Sequence, residues 1–263
     1  VAFGGTSLSA KVGELALPTN GSTTSATVGF QTNALFCGAA FGAFPSSLAT
    51  MFFSEGLCSY DGTTIRQAAK ATRFITGGGS STYATVRDSD IGYYSAASRP
   101  FNVSAISSTQ FTVSNTSGSN LSSFSIGYLA LNFGGEAAAW VGVLDSPTTT
   151  GNHDFTGSSF TPKLAYFMPT TENAVDTEYT DGTGAGWAVS AVTANTEHAS
   201  FWRKRDAASG ATSIASDNAI NLEDHTSTSY HDGTFVSMLS NGVRVNLTTA
   251  NGTARKWPFM FIG

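Results

Sequence analysis

Thr248-Thr-Ala-Asn-Gly-Thr-Ala-Arg-Lys-Trp-Pro-Phe-Met-Phe-Ile-Gly263 closes the sequence, and its layout occurs twice. Ser119-Asn-Leu-Ser-Ser-Phe-Ser-Ile-Gly-Tyr-Leu-Ala-Leu-Asn132 is also a small polar turn followed by an aromatic and aliphatic run. An offset of about 131 residues lays Tyr128 on Phe259 and Leu131 on Ile262. Self-similarity at a fixed offset is the first thing to resolve in a sequence, because it decides the unit that folds.

Four more blocks follow in the same order. Lys11-Val-Gly-Glu-Leu-Ala-Leu-Pro18 matches Trp140-Val-Gly-Val-Leu-Asp-Ser-Pro147, and Val28 to Phe36 matches Ser158 to Tyr166. Gly56-Leu57 falls on Gly186-Trp187. Val103-Ser-Ala-Ile-Ser-Ser-Thr-Gln-Phe-Thr-Val113 falls on Phe235-Val-Ser-Met-Leu-Ser-Asn-Gly-Val-Arg-Val245. The sequence is therefore expected to hold two copies of one unit, 11–135 and 138–263, with an N-terminal arm over 1–10. A unit of this size can hold its own core.

Each unit reads as a series of short strands. Val12 to Leu17 alternates, Thr27 to Phe44 is strongly apolar, and Met51 to Tyr60, Tyr83 to Val86, Ile91 to Tyr94, Phe101 to Ile106, Gln110 to Val113 and Phe124 to Leu131 follow. Thr64 to Phe74 has some helical propensity. Its counterpart Val192 to Trp202 is rich in Thr, so both are assigned to strands. Asp61-Gly62, Asp181-Gly182, Asp232-Gly233, Asn241-Gly242 and Asn251-Gly252 punctuate these runs as turns. The expectation is an all-β protein of two tandem, jelly-roll-like β-sandwich domains, about eight strands in each, related by internal duplication.

Composition narrows the function classes. Charged residues make up 12% of the chain, about half the usual share, and the net charge is −5. Nucleic-acid binding needs a basic face, and the only basic runs are Arg203-Lys204-Arg205 and Arg255-Lys256. No apolar run approaches the roughly 18 residues of a membrane-spanning helix. The first residues do not form a signal peptide. Cys37 and Cys58 read as buried thiols, with a cross-strand disulfide as the alternative. Their counterparts in the second copy are near Met168 and Ala188.

Catalytic patterns are sparse. Acid pairs of the kind a glycosidase uses could be drawn from Asp88 and Asp90, from Glu172, Asp176, Glu178 and Asp181, or from Glu223 and Asp224. All lie in polar, turn-like stretches. No Gly-x-Ser-x-Gly elbow occurs, and Gly77-Gly-Gly-Ser-Ser lacks the Lys of a phosphate loop. No cofactor is implied, and the chain reads as non-enzymatic. Asp176, Glu178 and Asp181 form a carboxylate-rich turn that could offer oxygen ligands to calcium, although the spacing is not that of an EF-hand. Tyr93, Tyr94, Trp187, Trp202 and Arg203 are the candidates for a sugar-stacking platform.

The second copy also resembles a group of tailed-bacteriophage virion proteins. The matching residues are Val141-Gly142, Ser159-Phe-Thr-Pro-Lys-Leu164, Asn241 to Ala250, and Ala254-Arg-Lys-Trp-Pro-Phe-Met-Phe261. The first copy departs from the pattern: Asn33 replaces the Lys, and the Arg-Lys pair before the last strand is absent. The resemblance implies an exterior virion component, such as a capsid decoration protein, head fibre or tail protein. Its partners would be other virion proteins and further copies of itself, with a trimer favoured among homo-oligomers. The alternative is a carbohydrate- or receptor-binding module that takes a host surface glycan.

Overall fold

The computed structural model describes residues 7–41, 50–75, 82–94, 99–115, 121–135, 137–177, 179–181, 184–205, 211–216, 218–223 and 229–263. Within these residues the protein is all-β, with no helix. The expected arm at 1–10 lies outside them up to residue 6, and Ser9 already belongs to the first strand.

The first half contains β1 (Ser9–Ala16), β2 (Thr23–Thr27), β3 (Ala34–Phe41), β4 (Thr50–Tyr60), β5 (Ile65–Ile75), β6 (Thr82–Arg87), β7 (Gly92–Tyr94), β8 (Arg99–Ile106), β9 (Gln110–Asn115) and β10 (Ser125–Asn132). The second half contains β11 (Ala139–Asp145), β12 (Gly151–Thr156), β13 (Leu164–Phe167), β14 (Tyr179–Asp181), β15 (Gly184–Thr193), β16 (Glu197–Arg205), β17 (Ala211–Ser216), β18 (Ile220–Glu223), β19 (Ser229–Leu239), β20 (Gly242–Thr249) and β21 (Lys256–Ile262).

All strand ladders are antiparallel. The large sheet of the first half runs β1-β10-β3-β4-β5-β6 and that of the second β11-β21-β13-β15-β16-β17. The small sheets run β2-β9-β8-β7 and β12-β20-β19-β18. With β14 set aside, the two halves correspond strand for strand. The nested outer pairs β1–β10 and β2–β9 are those a jelly roll would have. The inner strands depart from it, because β3 to β6 run on as a meander within one sheet. The apolar stretch Thr27 to Phe44 does not form one strand. The chain leaves β2 at Thr27 and re-enters the other sheet at Ala34, and among the described residues the first half has ten strands and the second eleven, rather than about eight in each.

Side-chain alternation gives each large sheet two buried faces. One face packs on the small sheet of its own half. In the first half Leu15, Leu35, Cys58, Phe101, Phe111, Val113 and Ile126 meet there, and in the second Phe155, Phe167, Val192, Val243, Val245, Trp257 and Phe259. The opposite, outer faces of the two large sheets pack on each other through Ala34, Leu57, Ala68 and Leu131 against Val141, Leu164, Met260 and Ile262. The result is a stack of small, large, large and small sheets.

Details recur between the halves. Gly13 pairs with Tyr128, and Gly142 pairs with Phe259. A Cβ on Gly13 would collide with the Tyr128 ring; one on Gly142 would lie 2.7 Å from the Trp140 ring and 3.3 Å from Phe259. Each glycine leaves room for aromatic carbon beside it. A β-bulge falls between Val103 and Ala105 in one half and between Phe235 and Ser237 in the other, where the alignment lays Val103 on Phe235.

A side chain from the large sheet anchors each bulge. The Val103 N–H donates to Gln67 Oε1 at 2.6 Å, and the Phe235 N–H donates to Glu197 Oε2. Gln67 and Glu197 hold the same place in their sheets. One cross-strand pair keeps its position and changes its chemistry. Ser25 and Thr112 share a hydroxyl hydrogen bond of 2.9 Å, where Asp154 and Arg244 form a bidentate ion pair at 2.5 and 2.7 Å.

The register corrects one block of the alignment. Leu35 pairs with Cys58 and Cys37 with Gly56, while Ala165 pairs with Val192 and Phe167 with Ser190. Cys37 therefore matches Phe167, not Met168, and Cys58 matches Val192, not Ala188. Gly56 likewise matches Ser190 rather than Gly186. The four-residue slip has a structural cause: the connection between β13 and β15, which carries β14, is four residues longer than that between β3 and β4. The β4–β5 hairpin, which extends through Ser59–Arg66 and Tyr60–Ile65 where the β15–β16 ladder ends at Val192–Glu197, restores the offset. Cys37 and Cys58 are both buried and are not bonded to each other.

Candidate functional site

The most elaborated surface of the molecule is the junction where the halves meet. β11 and β21 of the second half lie across β4 and β5 of the first. The small residues Ala34 and Ala68 let the sheets approach, and Val141 (2% exposed) fills the space beside them. The Val141 N–H, at the sheet edge, donates to Ser59 Oγ at 3.1 Å. Phe36 and Tyr166 meet edge to face at 5.6 Å.

One cation is buried in this junction. Lys70 Nζ donates to the Ala188 carbonyl at 2.7 Å and pairs with Glu55 at 2.9 Å. Burial lowers its pKa, and Glu55 opposes that shift. Removing a charge from water is costly unless it is paired and hydrogen-bonded, and Lys70 has both kinds of contact.

Among the described residues, β14 is the one strand of the second half without a counterpart in the first. It crosses the junction and extends the large sheet of the first half by pairing with β6. Just before it, Val175 bridges Val86, and the Asp176 N–H donates to the Val86 carbonyl at 2.8 Å. Arg87 then ties the segment down. Its Nε lies 2.9 Å from Asp90 and 3.1 Å from Asp176, and its guanidinium stands 4.9 Å from the Tyr93 ring. Burial raises the pKa of both Asp90 and Asp176, and Arg87 counters the rise.

A cleft of about 280 Å³ opens beside the junction, lined by Ile65, Arg66, Gln67, Asp88, Ser89, Val141 and Gly142. Two of its polar groups are already engaged. Arg66 pairs with Asp61 at 2.6 Å and stands 6.0 Å from the Trp140 ring, and Gln67 holds the bulge at Val103. Hydrogen bonds from Arg66 and the turn hold the Asp61 carboxyl well below the usual range.

The residues nominated from sequence are dispersed. Tyr93 is 4% exposed, and Tyr94 packs between Phe52 at 4.5 Å and Phe124 at 5.0 Å. Neither presents a bare ring face to a sugar; both belong to the core of the first half. Trp187 and Trp202 are direct partners across β15 and β16, and Gly186 faces Arg203 one step along. The backbone of these residues is described, but their side chains lie outside the described residues. Of the calcium candidates, Asp176 is engaged by Arg87, Asp181 is placed by its backbone in β14, and Glu178 lies outside the described residues. Among the described residues no group of three or more His, Cys, Asp or Glu could hold a metal ion. No helix among them is long and apolar enough to cross a membrane.

Sequence reasoning did not identify which faces form the junction. The available signal was Val12-Gly13 matched to Val141-Gly142, which marks equivalent positions but not which of them is covered. The chain matches no protein-family model, no curated protein and no solved structure.

Proposed function

We propose that the chain is a non-enzymatic structural building block of a virus particle, placed on the particle exterior, whose work is protein–protein contact. The observation that carries this reading is the way the two halves are joined. Two sandwich-like units of the same strand order meet through apolar outer faces, and a strand of one extends the sheet of the other. Such a join is a module for assembly: sheet faces supply burial, and strand addition supplies register. The recurring glycine–aromatic pairs and anchored bulges support descent of both units from one duplicated ancestor. The resemblance of the second copy to tailed-phage virion proteins supplies the particle.

The experiment is immuno-gold electron microscopy of virus particles purified from the source of this sequence, with antibodies to the chain. Regular labelling of intact particles is expected. Particles that lack the chain by mass spectrometry would overturn the reading. A second reading, a module that binds a host surface glycan, draws on Trp187 facing Trp202 in one ladder. Binding on a glycan array that is lost in both Trp187→Ala and Trp202→Ala would favour it.

A further inference from the structure

Equivalent positions in the two halves have opposite exposures. Val141 is 2% exposed within the junction; its counterpart Val12 is 76% exposed, the most exposed large hydrophobic among the described residues. The same contrast holds on the surface that receives Val141. Ala68 and Lys70 are 0% and 3% exposed, whereas their counterparts His198 and Ser200 are exposed. A two-fold relation between the halves would bury Val12 as it buries Val141. The join is therefore heterologous: one face of the second unit meets a different face of the first. Each unit carries both faces, so one of each remains uncovered. On the first unit it is the outer face of β1, with Ala10, Val12 and Glu14, beside the exposed Gly127 and Gly38. On the second it is the outer face of β16, with the exposed His198 and Ser200, bounded by β17, while Val189 and Ala191 of β15 are partly buried against the junction.

We propose that chains associate head to tail, with the β1 face of one chain packed on the exposed β16 face of the next, in the place that β5 offers to β11 within each chain. The inference deepens the building-block reading, on which it rests, by naming the partner: a second copy of this chain. The in-chain join shows that these two kinds of face are complementary. The receiving face lacks the apolar Ala68 of its in-chain counterpart and has His198 there instead. The contact between chains is accordingly weaker than the covalently tethered one and depends on concentration. A heterologous contact closes into a ring if its rotation permits and otherwise grows as a filament. A trimer would be a ring of six units.

The test uses two variants of the full chain, Val12→Lys and Ser200→Lys, each at an exposed position where folding is retained; circular dichroism checks this. By sedimentation velocity the wild type gains mass with concentration. Each variant alone remains a monomer, its association weakened at least tenfold. Mixed in equal amounts, the two form a dimer and nothing larger, because each supplies the intact face that the other lacks. A wild type that is monomeric at every concentration overturns the proposal. So does association that survives in both variants, or a mixture that stays monomeric. None of these results bears on whether antibodies label the particle, so the building-block reading stands or falls separately.

Discussion

Acid should weaken this fold through one buried imidazole. His231 is fully buried, with its ring edge-on to Trp257 at 4.8 Å. Its Nε2 lies 3.1 Å from the Pro147 carbonyl, which can only accept, so Nε2 carries the proton of the neutral ring. Nδ1 is buried without a partner, so a second proton there would be an unsatisfied donor bearing a charge near Arg255. Burial chiefly, and the Arg255 charge secondarily, push the pKa down to about 4, while the Pro147 contact works the other way. The unfolded chain takes up its proton near pH 6.5, whereas the folded chain resists until about pH 4. Stability from this group is thus complete above 6.5, falls between 6.5 and 4, and is lost below that. A depression of this size is worth about 3 kcal/mol at roughly 1.4 kcal/mol per pH unit.

Urea unfolding of wild type and His231→Gln at several pH values from 7.5 to 4 isolates the effect, since carboxylate contributions are common to both. The stability difference between them should shrink or invert by about 3 kcal/mol as pH falls. Parallel curves would refute the reasoning. If the variant fails to fold, the His231 ring shift in the wild-type NMR spectrum gives the answer directly, and a midpoint near 6.5 would be equally damaging.

Further expectations can be checked by simpler means. A chain lacking Phe259 to Gly263 should not fold, because β21 lies between β11 and β13 and Phe259, Met260 and Phe261 are almost wholly buried; a cooperative thermal melt would disprove this. Gln67→Leu and Glu197→Leu should each cost about 1–3 kcal/mol in urea unfolding, since each leaves a backbone N–H at a bulge without its acceptor. Glu197→Gln should cost less than Glu197→Leu. Cys37 and Cys58 should resist thiol reagents in the native state and react on unfolding, because burial raises both thiol pKa values and hides both sulfurs; rapid native labelling would contradict their placement.

The correspondence of strands between the two halves was legible in the sequence where the physics of the strand constrains the residue. The glycine opposite an aromatic ring and the Val103–Val113 block with its bulge aligned to the residue, because both depend on backbone geometry that admits few alternatives. The alignment slipped at Gly56, because the longer connection that carries β14 leaves no chemical marker and any small residue can stand beside any apolar one. Tyr93 and Tyr94 looked like a platform because a buried and an exposed tyrosine share the same alternation. Glu197 sat among turn-like polar residues, yet it does the work that Gln67 does in the other half. The junction was not legible. Val12 and Val141 are the same residue in the same local sequence, and only tertiary contact separates 76% from 2% exposure.

Light scattering of the purified wild-type chain across concentration tests most directly the claim that the chain associates with its own kind. Mass should rise above the 27.3 kDa of one chain and settle at a multiple of it, or continue to climb if the contact does not close. A constant 27.3 kDa up to the highest concentration reached would contradict a chain that works by assembling with its own kind.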